Sequence, residues 1–296
     1  MHLPDLMPDG RPWPRICVIT PSFNQATYLE STIRSILLQG YPNLEYVIMD
    51  GGSTDGSIEI IEKYRPWLWY WQSKPDDGQY AAIQAGFEKS SGEIMAWLNS
   101  DDLYFPWTLR TVAEIFSGLP EVNWLSTIVT AEVGGFEENI AFSQRRGMNR
   151  RWFFEARPLQ KKGFIQQEST FWRRTLWEQA GACFDKSLHY AGDLELWARF
   201  WQHTELVSTS TPLGIFRYHA GQKTNQYQEY LREAEQVLKS YPSYWRLPVQ
   251  PLRLLAYLLK RWNKEKNWFQ IRYYHAQYMI HSWKWALTKT YRSPGG

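Results

Sequence analysis

Short apolar runs alternate with longer amphipathic stretches through the first hundred residues. Ile16-Cys17-Val18-Ile19, bounded by Pro14 and Pro21, predicts a buried strand. From about Gln25, Tyr28, Ile33, Ile36 and Leu37 recur at helical spacing until Gly40 and Pro42 stop them. Residues 44–49 form a second apolar strand, and after the turn 50–56 a second helix runs to about Lys63. A strand over 67–71, a helix over 78–90 and a strand over 93–98 continue the alternation. The pattern weakens beyond residue 120, where it predicts strands over 122–129, 168–172 and 213–218 and helices over 106–117 and 192–202. From about residue 226 the text turns helical, and Pro242, Pro248 and Pro251 mark breaks before a long final helix or pair.

Strands alternating with helices imply an α/β fold with a mostly parallel sheet covered on both faces. In such sheets ligands gather at the carboxyl ends of the strands. The polar clusters of this chain lie at those ends: 20–25, 50–55, 76–79 and 101–102. Four loops are therefore expected to converge on one rim. The expected division is a sheet domain over 1–225 and a helical extension over 226–296.

Composition modifies this picture in three ways. Seventeen Trp, 18 Tyr and 14 Phe make 17% of the residues aromatic, an excess of flat amphipathic rings suited to sugars, nucleobases or lipid headgroups. The net charge of +3 hides a division near residue 240: ten Lys or Arg against one acid put the tail at +9, leaving 1–239 at −6. Cys17 and Cys183 cannot build a disulfide framework, and the first residues lack an apolar leader, so a reducing cytoplasm is the expected compartment. No run approaches the roughly 20 apolar residues that span a bilayer.

The tail supports two readings. Trp245, Trp262, Trp268, Trp283 and Trp285 lie among the bases of 244–291, and a leucine run precedes Lys260-Arg261, as in an interfacial helix on anionic lipid at the inner membrane face. The alternative is a helical hairpin that packs its aromatics on the sheet domain. Nucleic acid is not expected, because no recognition module is present.

The rim residues restrict the chemistry. GGSTDG lacks the Lys and Ser or Thr of a Walker loop, and no G-x-G-x-x-G follows the first strand, which argues against P-loop and NAD chemistry. Asp101-Asp102 at a strand end would repel one another unless solvated or joined by a cation. A hard divalent ion is the natural partner, binding through one or two carboxylates and a substrate diphosphate. The competing reading is a pair of acids at the N-terminus of the helix that begins near Pro106.

ITPSFNQATYLESTIRSILLQGYPNLEYVIMDGGSTDGSIEII, followed by KPDDGQYAAIQAGFEKSSGEIMAWLNSDD and later by the GDLELW and FRYHAGQKT blocks, resembles family 2 glycosyltransferases of the GT-A fold over residues 15 to about 225. The resemblance implies inverting transfer of a sugar from a nucleotide donor, UDP-linked in the expected case, to a hydroxyl, with Mn2+ or Mg2+, in polysaccharide or glycolipid synthesis. By the same resemblance Pro21 and Phe23 flank the nucleobase, Asp50 is the first acid of the second-strand motif, Asp102 is the principal metal ligand and Asp101 lies beside ribose or metal. Many relatives carry an acid where this chain has Gly51, and that acid often helps to read uracil. Gln167 and Glu168 occupy a stretch that approaches the acceptor.

Asp193 and Glu195 are both candidates for the base that activates the acceptor hydroxyl. Two positions apart on a helix they point about 200° away from each other. Glu195 has Arg199 four residues later and reads as half of a surface pair. Asp193 matches the family's base position, with a helix N-cap as its alternative. Arg217, His219 and Lys223 follow a strand and are candidates to grip a diphosphate or, for His219, to complete a metal site. Lys74, Asp76 and Gln79 are expected to line the donor pocket, against the reading of an ordinary solvated loop. Two alternatives to a transferase remain at this level: a binding module of the same fold without turnover, and a nucleotidyltransferase, whose basic phosphate loop is missing here.

Overall fold

A computed structural model describes residues 3–134, 139–144, 147–155, 165–241, 271–279 and 284–292. The first strands and helices follow the predicted alternation: β1 (Ile16–Ser22), α1 (Ala26–Leu37), β2 (Leu44–Asp50), α2 (Ser57–Tyr64), β3 (Tyr70–Ser73), α3 (Gln79–Glu88) and β4 (Ile94–Trp97). β5 (Leu103–Tyr104), α4 (Thr108–Gly118), β6 (Trp124–Thr127), β7 (Val129–Gly134), β8 (Ala141–Gln144), α5 (Arg150–Phe154), β9 (Phe171–Arg173) and α6 (Arg174–Gln179) come next. α7 (Gly192–His203), β10 (Val207–Thr209), β11 (Gly214–Tyr218), α8 (Tyr227–Ser240), β12 (Ile271–Met279) and β13 (Lys284–Arg292) complete the order.

Nine strands form the main sheet in the order β13-β12-β10-β6-β9-β4-β1-β2-β3. The pairs around β1 and β2 are parallel, whereas β9 runs antiparallel to both β4 and β6. The face that each residue presents alternates with the strand period of two. Ile16, Val18, Tyr46, Ile48, Ile94 and Ala96 face a core shared with α1 and α4. Their neighbours Cys17, Ile19, Val47, Met49, Met95 and Trp97 face a second core shared with α3 and α7. Both faces being covered, β1 is buried along its whole length, which is why its sequence is an uninterrupted apolar run.

Several expectations are corrected. The strand predicted over 67–71 begins only at Tyr70, because Arg65-Pro66-Trp67 close a single 3-10 turn first. The single strand over 122–129 is two: β6 belongs to the main sheet, while β7 joins a second sheet ordered β5-β11-β7-β8. Residues 271–279 and 284–292 are not helical; they pair antiparallel, and β12 adds to β10 in parallel, so the extension continues the main sheet. Four Tyr, Trp285, Ile271 and two Thr lie in these segments and favour strand over helix. Trp245, the leucine run, Trp262, Trp268 and Trp283 lie outside the described residues. No helix among the described residues is long and apolar enough to cross a membrane.

The aromatic excess is spent largely on the core. Trp97, Trp124, Trp172, Trp197 and Trp201 are all under 2% exposed. Trp197 on α7 stacks on Trp97 at 5.8 Å and on Trp124 at 5.5 Å, and meets Trp172 edge-on at 5.6 Å. α7 is thereby fastened to the middle of the sheet. Trp197→Ala is expected to cost about 3–5 kcal/mol of stability, read as the shift of a urea unfolding midpoint at constant slope.

Candidate active site

The carboxyl ends of three adjacent strands stand level, with Ser22, Asp50 and Ser73 in register across β1, β2 and β3. Asp50 is buried and occupied by the protein itself. Its carboxylate accepts from Gly52 N at 3.1 Å, Ser53 N at 2.9 Å, Ser53 Oγ at 2.5 Å and Ser73 Oγ at 2.6 Å. The turn 50–56 so formed is stitched to the first loop. Asn24, in the left-handed region at φ 52°, donates its N–H to Ser53 Oγ and accepts from Thr54 N, while Asp55 accepts from Ala26 N.

Gly51 opens a slot on this rim. A Cβ there would lie 3.2 Å from the Phe23 ring and 3.3 Å from the Asp76 carboxylate. Phe23 is 62% exposed, so an aromatic face and a carboxylate border one gap with only hydrogen between them. Burial, then the charges of Asp50 and Asp77, push the Asp76 carboxyl above its usual range, although Gly78 N–H donates to it at 2.8 Å. Pro21 is the penultimate residue of β1, and Lys74 is exposed after β3.

The second sheet builds the other half of the site. β5 follows directly on Asp101-Asp102 and pairs antiparallel with β11, whose end leads into His219. His219 Nε2 lies 2.9 Å from Asp101 Oδ2, and its ring lies tilted against Tyr28 of α1 with centroids 4.5 Å apart. Asp102 is 2% exposed and accepts from Arg217 N at 3.0 Å and from Asn99 Nδ2 at 3.3 Å. Burial, then the charges of Asp101 and Glu168, raise its carboxyl well above the ordinary range. The helix N-cap reading fails for this pair, since α4 begins at Thr108 and draws no capping bond from either acid.

A divalent ion suits these residues chemically. Two neighbouring carboxylates, neither in a direct ion pair with Arg217 although its charge reaches both, form a hard-oxygen donor set, and His219 adds an imidazole within reach of Asp101. Among the described residues no group of three or more His, Cys, Asp or Glu is arranged to hold an ion by itself. Diphosphate oxygens would have to complete its coordination, as is usual where one or two carboxylates bind the metal.

From Asp102 a polar chain crosses the cleft. Asn99 accepts from Gln79 Nε2 at 2.7 Å, and Gln79 Oε1 accepts from Lys223 Nζ at 3.1 Å. Lys223 also donates to His189 O at 2.7 Å, just before α7. At the start of α7, Asp193 is surrounded by Tyr80, Tyr230, Lys223 and Glu233, and desolvation raises its carboxyl to about 6. Gly192 lets this segment in: a Cβ there would fall 2.7 Å from the Tyr80 ring. Asp193 accepts from Leu194 N at 2.7 Å and from its own backbone N–H, not from the later amides that an N-cap would hold. Glu195 is turned away and paired with Arg199 at 2.7 Å, as its spacing predicted.

Three further candidates are engaged by the protein itself. The Arg217 guanidinium is buried over the Tyr28 ring at 4.9 Å and donates to Ser31 Oγ, so it does not reach towards a diphosphate in solvent. Gln167 donates to Trp97 O at 2.6 Å, and Glu168 is buried beside Asp102. Asn99, Tyr28 and Tyr80 were not singled out from the sequence. Each sits at a strand end or in a first helical turn facing the rim, the one local signal that would have found them.

The model for glycosyl transferase family 2 matches residues 17–176. The putative teichuronic acid biosynthesis glycosyltransferase TuaG of Bacillus subtilis is 36% identical over 94 residues, 30% of this chain and 36% of that protein. Other curated relatives, at 35–36% identity, are matched over 33–44% of their own length, so the chain spans less than half of them. S. aureus TarS 1–349 in complex with UDP-GlcNAc superposes with a TM-score of 0.61 at 17% identity, covering 86% of this chain and 74% of that one. Mannosyltransferase PcManGT from Pyrobaculum calidifontis, in complex with GDP-Man and Mn2+, gives 0.52 at 19% identity, covering 89% and 85%. At such identities the likeness carries the fold: a mixed α/β sheet flanked by helices, as in GT-A glycosyltransferases. With the matched segment running from β1 into α6 over more than half of the sequence, the chain belongs to glycosyl transferase family 2.

Proposed function

We propose that the protein transfers a sugar from a nucleotide-sugar to an acceptor hydroxyl with inversion, in the synthesis of a polysaccharide or glycolipid. The observation that carries this reading is Asp193, a carboxyl raised to about 6 by desolvation, facing the Asp101-Asp102 pair across the Lys223–Gln79–Asn99 chain. A general base works best with a pKa near the operating pH. TuaG, named for teichuronic acid biosynthesis, and TarS, crystallised with UDP-GlcNAc, support the substrate class.

Transfer is one displacement. The acceptor oxygen forms a bond to the anomeric carbon as the bond to the diphosphate oxygen breaks; the electron pair leaves with the diphosphate, and Asp193 takes the hydroxyl proton. A single displacement inverts the anomeric centre. Asp102 and His219, with the donor's diphosphate oxygens completing the set, would hold Mn2+ or Mg2+, which would supply Lewis-acid stabilisation of the leaving group. Lys223 and Gln79 orient the cleft between the two centres.

The nucleobase is assigned to the exposed face of Phe23 beside Gly51, with Asp76 accepting a ring N–H. Uracil and guanine present such an N–H, whereas cytosine presents an acceptor there. Asp76→Asn is expected to weaken the preferred nucleotide about 10- to 100-fold, the worth of a hydrogen bond to a charged group, measured by isothermal titration. The overall test is a thermal-shift panel of UDP, GDP, dTDP and CMP with and without Mn2+. Stabilisation by one nucleotide that needs the ion supports the donor site. No shift for any at saturating concentration favours a module of this fold without turnover.

A further inference from the structure

Three consecutive backbone N–H groups in front of α7 converge on one carboxylate from a different helix. Glu233 of α8 accepts from His189 N at 3.0 Å, Tyr190 N at 2.8 Å and Ala191 N at 2.8 Å. α7 has no side-chain cap of its own, its N-cap position being Ala191. Successive amides of this kind form a concave anion site, and here a residue of the chain fills it. The carbonyls of the same turn are held from the opposite side: Lys223 donates to His189 O at 2.7 Å, and the Tyr80 hydroxyl donates to Tyr190 O at 3.0 Å. A three-residue turn with both its donors and its acceptors committed has one conformation. Asp193 lies two residues beyond it.

We propose that Glu233 is a positioning residue for the transfer reaction: its carboxylate fixes the turn 189–191 that delivers Asp193 to the cleft. The proposal rests on Asp193 being the base. It assigns a role to α8, which lies outside the stretch that matches the family. A second effect follows from charge. Asp193 is faced by Tyr80 of α3, by Lys223, and by Tyr230 and Glu233 of α8; Lys223 holds its carboxyl down and Glu233 holds it up. Removing the Glu233 charge therefore moves the acidic limb of the rate profile to lower pH.

Two variants separate placement from charge. Glu233→Gln keeps an acceptor oxygen and the volume, while Glu233→Ala removes the clamp. The assay is release of nucleoside diphosphate from UDP-GlcNAc, or from GDP-mannose if the nucleotide panel selects guanine, followed over pH 4.5–8 (about the range a limb near 6 requires). Amide hydrogen exchange of residues 189–191 is followed in parallel. Glu233→Ala is expected to lower kcat at least tenfold with donor KM unchanged and to speed exchange at the three amides. Glu233→Gln is expected to keep kcat within about threefold of the parent and slow exchange, yet to shift the acidic limb downwards. Unchanged kcat and limb in both variants overturn the proposal, as does a loss of kcat that merely tracks the fraction folded. Asp193→Asn is the control: if it retains turnover, the base assignment itself fails and the proposal with it. If it is inactive while both Glu233 variants behave as the parent, only the role of Glu233 is lost.

Discussion

Asp193→Asn is expected to lower turnover by about 10²- to 10⁴-fold and to leave nucleotide affinity unchanged. The two centres are separate in space and in their partners. Asp193 stands at the head of α7 against Tyr80 and Lys223, while the slot at Gly51 and the Asp101-Asp102 pair belong to loops at the ends of β1, β2 and β4. An isosteric amide preserves the bond from Leu194 N and cannot take a proton. Equal loss of nucleotide binding would contradict the separation. The base works only when deprotonated, so the wild-type rate should rise with pH through about 6 and then level. Linkage adds a stability effect of opposite direction. The folded carboxyl retains its proton up to about 6 against 3.8 in the unfolded chain, so its contribution to stability is complete below pH 3.8 and is lost as pH rises to about 6.

Asp102→Asn is expected to abolish the part of nucleotide stabilisation that depends on Mn2+ and to reduce transfer at least about 10²-fold, through loss of several kcal/mol of leaving-group stabilisation. Its carboxylate is almost fully buried and accepts from Arg217 N and Asn99 Nδ2; the Arg217 guanidinium is the one opposite charge felt there among the described residues, against the like charges of Asp101 and Glu168. Such an acid carries its charge comfortably only beside a cation. The amide removes that demand while keeping the shape, so the fold should persist. Nucleotide shifts measured on this variant with and without Mn2+ check the result. A shift that still requires the ion would remove Asp102 from the ion's ligands.

Much of the site was legible because its parts lie at strand ends. A buried parallel strand must be apolar, and the chain must turn polar as it leaves the sheet, so the loops carrying Phe23, Asp50, Asp76 and Asp102 announce themselves by position. Within those loops the roles were less legible. Asp50 looked like a ligand-binding acid, yet Ser53, Ser73 and the amides of the turn occupy its carboxylate. Arg217 looked like a diphosphate grip, yet its guanidinium lies buried on Tyr28 and Ser31. Hydrogen bonds of this kind join residues far apart in the chain and leave no periodic trace. Residues 271–279 and 284–292 misled for a different reason: mixed aromatic and basic residues suit a helix and an edge strand equally, and only a neighbouring strand, β10, distinguishes them.

By itself the sequence determined the parallel α/β core, the rim of four polar loops, the Asp101-Asp102 pair and the opposite fates of Asp193 and Glu195, because strand and helix periods are local properties of the chain. The tertiary structure alone decided that five tryptophans fill the core, that β5 and β11 bring His219 to Asp101, and that Glu233 of α8 holds the turn before Asp193. Those outcomes depend on which distant segments share a surface, and that is settled by packing and by the pairing of buried polar groups, for which no local pattern codes.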